Sequence, residues 1–153
     1  MKLFSVLAAA IAVTAGLASA QTIRVGTFHQ PSVVVAFYRS PLWADVNKAK
    51  LAEMDAAKKA NDASKVQELE AWGNTHQDLA HRQLAGEAPI TNILEALSPG
   101  LPEIARRAGV KLIAPDLPFA DPTVQTVDIT DLLMDYLKAD AHTLEIVRDL
   151  RKR

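Results

Sequence analysis

The sequence predicts an α/β fold: a small sheet packed against helices, with an inserted antiparallel helical hairpin. Three observations predict it. Short strand-like segments at residues 22–28, 110–114 and 124–129 are separated by helix-forming sequence. A long Ala-, Lys-, Leu- and Glu-rich stretch, residues 42–84, is interrupted by the polar pair Asn61-Asp62. A last helical stretch follows the third strand, and no repeat, low-complexity tract or Gly/Ser linker divides the chain.

Before these elements comes a segment of a different kind. Met1-Lys2 is a short positive start, residues 3–17 are almost wholly apolar, and Ala18-Ser19-Ala20 supplies small side chains. That order predicts a signal peptide, residues 1–20, cleaved before Gln21. The apolar run is too short to span about 30 Å of hydrocarbon comfortably. No Cys follows it to carry an acyl anchor, so the expected product is a periplasmic or secreted protein with no stable membrane insertion. Residues 21–153 suffice for one soluble domain with a modest core. The chain has no Cys, which removes disulfides, thiol nucleophiles and sulfur-rich metal sites together. Its formal charge of -1 becomes -2 once Lys2 leaves, a balance unlike that of a general nucleic-acid binder. Arg148, Arg151, Lys152 and Arg153 form a basic tail diluted by Glu145 and Asp149, and read as a solvated terminus.

In the first strand, Ile23, Val25 and Thr27 share one face, and Arg24 and Gly26 the other. Residues 33–38 are ambiguous: β-branched content favours a strand, and Pro31 near the start allows a buried helix. Ser40-Pro41 leads into the first long helix, whose apolar stripe is Trp43, Val46, Leu51 and Met54. Ser64-Lys65-Val66-Gln67 has the form of a capping box for the second. There Leu69, Trp72, His76, Leu79 and Gln83 recur at spacings of three and four, a coiled-coil-like seam with two polar members. The short polar connection predicts a hairpin at about residues 42–85, and one continuous helix is the alternative. Gly73 weakens the second helix without ending it, whereas Gly86 stops it. Two short helices follow, residues 88–97 and 101–108, the second closed by Gly109. After the strands, Asp128 or Thr130 caps a helix over residues 131–137, and residues 141–150 add a last one.

This arrangement resembles the Skp/OmpH-like periplasmic chaperones. Thr22-Ile23-Arg24-Val25-Gly26-Thr27 sits where that family's first strand lies. Gly109-Val110-Lys111-Leu112-Ile113-Ala114 resembles its returning strand, and Val127-Asp128-Ile129-Thr130-Asp131-Leu132-Leu133 its closing turn into a helix. The likeness covers most of residues 22–138. It implies a small sheet bearing helical arms that hold an unfolded polypeptide within an assembly of copies. The arms here are short, a segment at residues 88–108 has no place in the pattern, and the hairpin is near charge balance. The chain resembles an exported branch of that fold without the long arms at least as well.

Catalytic readings are thinner. His76 and His81 stand five apart, not side by side on a helix, so the four histidines give no metal pattern. Ser32, His29 and an Asp lack a glycine elbow, and Gly26 has no companion glycines for a nucleotide loop; no cofactor is expected. Phe37, Tyr38, Arg39, Trp43 and Trp72 have the composition of a protein-binding hot spot, with Arg39 beside the aromatics. Closure of the core is the competing role for those rings. The reading is therefore an exported, non-enzymatic protein-binding or chaperone-like envelope protein, its partner an unfolded polypeptide, another protein or a second copy. A small enzyme built on His29, Arg39 and Asp45 or Asp128 is the alternative, and a structural envelope component a third.

Overall fold

A computed structural model describes residues 22–115, 117 and 119–152. The expected leader lies outside the described residues. The fold is mixed α/β, a small parallel sheet packed against several helices. Strand β1 (Arg24–Thr27) is central, between β2 (Leu112–Ala114) and β3 (Gln125–Asp128). Both outer strands run parallel to it, Gly26 pairing with Ile113 on one side and Val127 on the other. These three positions share the face that meets the core. A Cβ on Gly26 would come within 3.2 Å of Ile129 and Val110, so a residue without a side chain lets the sheet close on its cover. The opposite face carries Val25 between Leu112 and Thr126.

Residues 33–38, left open by the sequence, are helical. Helix α1 (Gln30–Tyr38) has Pro31 in its first turn, and Ser32, Val33, Val34, Ala36 and Phe37 are all buried. A helix apolar all round belongs inside, and burial outweighs the modest helix penalty of three valines. It packs against four other helices. The remaining core comes from α4 (Thr91–Leu97), α5 (Leu101–Ala108), α6 (Thr130–Tyr136) and α7 (Ala141–Leu150), through Ile93, Leu97, Ile104, Leu133 and Val147.

Helices α2 (Pro41–Lys59) and α3 (Ala63–Leu84) fold back on each other. Asn61 adopts φ 54° at the turn, a left-handed conformation that Asn tolerates better than most residues. The cap differs from the expected one. Asp62 accepts from the Lys65 amide at 3.0 Å and Ser64 lies within the first turn, because the helix starts at Ala63. The expected α2 stripe is also corrected. Val46 and Leu51 are 46% and 58% exposed, and Ala57 is the buried residue of that helix. Trp43 and Met54 of that stripe do turn toward α3, Trp43 onto Trp72 and Met54 into the space it shares with Leu69. At the far end Gly86 takes φ 77° and stops α3, as the sequence predicts. Gly109 does the same for α5 at φ 64°. Asp128 accepts from the Thr130 amide at 2.8 Å at the start of α6, and Asp140 from the Thr143 amide at 2.7 Å on α7. The basic tail is not simply solvated, since Arg151 bridges Asp128 at 2.6 Å and Asp131 at 2.8 Å. Among the described residues no helix is long and apolar enough to cross a membrane.

Candidate functional site

The hot-spot candidates meet where the helix pair joins the body. After α1 the Ser40 hydroxyl donates to the Phe37 carbonyl at 2.7 Å, closing a turn that Pro41 continues into α2. The chain reverses there, so Trp43 returns edge-on to Tyr38 with ring centres 5.0 Å apart. Trp72 reaches the same point from α3 and stacks on Trp43, at 5.9 Å and 10° between planes. His76, one turn on, lies 4.2 Å from Trp72, its Nδ1 2.8 Å from the Trp72 carbonyl oxygen. The Lys50 ammonium sits 6.0 Å from the centre of the Trp72 ring, within cation–π range.

Four of the five candidates are therefore neighbours, in two roles. Phe37 is 5% exposed and belongs to the core, so a partner does not reach its ring. Tyr38, Trp43 and Trp72 are half-buried, each with surface left to offer. Arg39 lines a groove together with Tyr38 and turns toward α7, its Nε donating to the Thr143 hydroxyl at 2.9 Å. No family model matches the chain, and no curated protein or solved structure matches it either.

Alongside the stack runs a groove between α2 and α3. One hollow of about 430 Å³ includes Asn47, Lys50, Met54 and Trp72, and a second of about 230 Å³ adds Trp43 and His76. Both are lined by Asn47, Trp72, Gly73 and Gln77, so the two hollows adjoin. Gly73 is the groove's notch, with no heavy atom within 4 Å of where a Cβ would stand. Packing within the chain does not require a glycine there, and a helix-interior glycine costs about 1 kcal/mol relative to alanine.

Sequence reasoning missed the residue that anchors this site. Gln83, noted only as a polar seam member, is 0% exposed. Its Oε1 accepts from the Tyr38 hydroxyl at 2.9 Å, and its Nε2 donates to the Pro89 carbonyl at 2.8 Å and Asn92 Oδ1 at 2.6 Å. A polar residue at an apolar heptad position was the available signal, since such a group is buried only with partners. Burial pushes the Tyr38 phenol up from its ordinary value, opposed by hydrogen bonding to the Asn92 side chain.

The residues of the enzyme alternative come together only in part: His29 lies close enough to Asp128 to help lower its carboxyl, and Arg39 stands at the other end of α1. His29 precedes α1 and Arg39 follows it, about 15 Å apart by helical rise, and Asp45 is exposed on α2. His29 Nδ1 is 2.7 Å from the Ser32 hydroxyl, but Ser32 is buried. Burial alone would raise the Asp128 carboxyl; the Thr130 hydroxyl and amide, then Arg151 and His29, bring it below its ordinary value. Among the described residues no three His, Asp or Glu side chains gather as metal ligands.

Proposed function

We propose that this chain is an exported envelope protein that docks unfolded polypeptide along the groove between α2 and α3, without covalent chemistry. The observation that carries the reading is the Gly73 notch beside the half-buried Trp43–Trp72 stack. The glycine weakens its helix and relieves no contact within the chain, and close approach from outside accounts for it. The stack supplies apolar surface, and the amides of Asn47, Asn74 and Gln77 can pair with the peptide groups of an extended chain. Lys50 is already paired with Glu53 at 2.9 Å, which suits a partner chosen more by its backbone and apolar side chains than by its charge. The inserted hairpin acts as a short arm on the body. The resemblance of three short segments to Skp/OmpH-like chaperones suggests the same kind of action.

Copies of the chain associate through the outer face of the sheet. Ile23 and Leu112 are 58% and 57% exposed there beside buried Val25, and β2 and β3 both have open edges. Unpaired strand edges with apolar neighbours favour intermolecular pairing. Light scattering after size-exclusion chromatography tests this: an oligomer that Leu112→Lys converts to monomers is expected, and a wild-type monomer at tens of micromolar overturns it.

For the groove, a photocrosslinking amino acid is placed at Asn47, Asn74 or Gln77, which line it, and, as a control, at Glu103 on α5. Adducts with unfolded polypeptide are expected from the three groove positions and not from Glu103. Equal labelling from all four, or none from the groove, refutes the reading.

A further inference from the structure

We propose that a second groove, bounded by α1, α3 and α7, binds a single-chain aliphatic carboxylate. It has a volume of about 320 Å³, at the small end of the range for small-molecule sites, roughly 300–1,000 Å³. Val34, Val35, Leu84 and Ile146 give it aliphatic walls, and Arg39 and His81 supply its nitrogen-bearing side chains. It shares Tyr38 and Ala80 with the hollow beside Trp43 but neither tryptophan, and the proposal does not rest on polypeptide docking.

Two features select the ligand. The first is the scarcity of hydrogen-bonding groups within the walls. The Tyr38 hydroxyl is committed to Gln83, and the flanking backbone is helical. A peptide laid here would bury its amide groups without partners, whereas an aliphatic chain has none to satisfy. The second is charge. No lining residue is acidic, and Arg39 is already oriented, its Nε held at 2.9 Å by the buried Thr143 hydroxyl one turn before Ile146. Its two terminal nitrogens make no hydrogen bond among the described residues, which leaves a planar donor pair of the geometry that a carboxylate accepts. Asp140, whose carboxyl feels the Arg39 charge, accepts from the Thr143 amide at 2.7 Å and does not line the groove. The tail then lies on Val35, Leu84 and Ile146 with its head at Arg39.

The test is calorimetric titration of the full chain with decanoate and, separately, decyltrimethylammonium, both below micelle formation. One saturable decanoate site per chain is expected, with the cationic analogue at least about tenfold weaker. Arg39→Gln should weaken decanoate by roughly tenfold, the loss of a charge-assisted pair. Val35→Trp, which fills the groove, should abolish binding. If circular dichroism finds that variant unfolded, Ala80→Leu replaces it. Methyl resonances of Val35, Leu84 and Ile146 should shift with decanoate. Non-saturating uptake, equal affinity for the two head groups, or undiminished binding to a folded groove-filled variant overturns the proposal. So does tighter binding of a short apolar peptide with a free carboxylate.

Discussion

Replacing Gln83 by Leu keeps the volume of the side chain and removes its carboxamide, so the change isolates the polar anchor of the helix pair. Three hydrogen bonds are lost, to Tyr38, Pro89 and Asn92. A neutral hydrogen bond contributes about 1 kcal/mol net, and a buried group left without a partner costs about 1–3 kcal/mol. Pro89 is exposed and Asn92 half-buried, so water recovers much of what they lose. The Tyr38 hydroxyl, turned into the body, has less access. The sum is a loss of about 3 kcal/mol, a large part of the roughly 5–15 kcal/mol typical of a domain. Urea unfolding followed by the emission of Trp43 and Trp72 reads it, with m-values compared to detect a change of the reference state. Tyr38→Phe alone should cost about 1 kcal/mol, and the double variant should fall short of the sum by about 1 kcal/mol, because the orphaned hydroxyl is then absent. A loss below about 0.5 kcal/mol for Gln83→Leu, or strict additivity, would refute the anchor.

Other outcomes follow from the same geometry. Gly26→Ala should cost about 1–3 kcal/mol by overpacking against Ile129 and Val110, and Gly100→Ala at least as much, since its Cβ would overlap the Tyr136 ring; thermal unfolding checks both. Gly73→Ala, with open space around it, should instead stabilise the isolated chain by about 1 kcal/mol. The raised Tyr38 phenol contributes stability that is complete below the ordinary tyrosine value near 10 and is lost as pH rises from there through the folded value. Unfolding free energy measured across that window should fall less steeply in Tyr38→Phe. Asp128 has the opposite sign: its carboxyl is lowered, so its contribution is present above the ordinary carboxylate value and lost as pH falls through the folded one. Asp128→Asn should flatten that part of an acid titration.

Much of the fold is legible in the sequence because its punctuation is chemical. Gly86 and Gly109 end helices by adopting positive φ, and Pro41 opens α2. The helix pair follows from a polar break between two helix-forming runs. Residues 33–38 were undecidable for a physical reason: a helix apolar nearly all round has no polar face, so its periodicity vanishes and β-branched content points the other way. Of the α2 stripe, Trp43 and Met54 turn toward α3, whereas Val46 is exposed and Leu51 lines the open groove with more than half its surface free. Of the candidate site, the aromatics were legible by composition. The hold of Thr143 on Arg39 was not legible, because the two stand 104 residues apart. Gln83 and the Gly73 notch acquire meaning only from what surrounds them in three dimensions.

The central claim is that the groove at Gly73 receives unfolded polypeptide, and a fluorescence titration of the full chain tests it most directly. The probe is a reduced, carboxymethylated small protein that cannot fold and contains no tryptophan. Saturable change in Trp43 and Trp72 emission is predicted, weakened about tenfold or more in Gly73→Leu, whose side chain fills the notch while the helix stays folded. Tenfold corresponds to about 1.4 kcal/mol of lost contact. Wild-type protein that leaves the probe unbound, or Gly73→Leu binding it as tightly as wild type, would contradict the account.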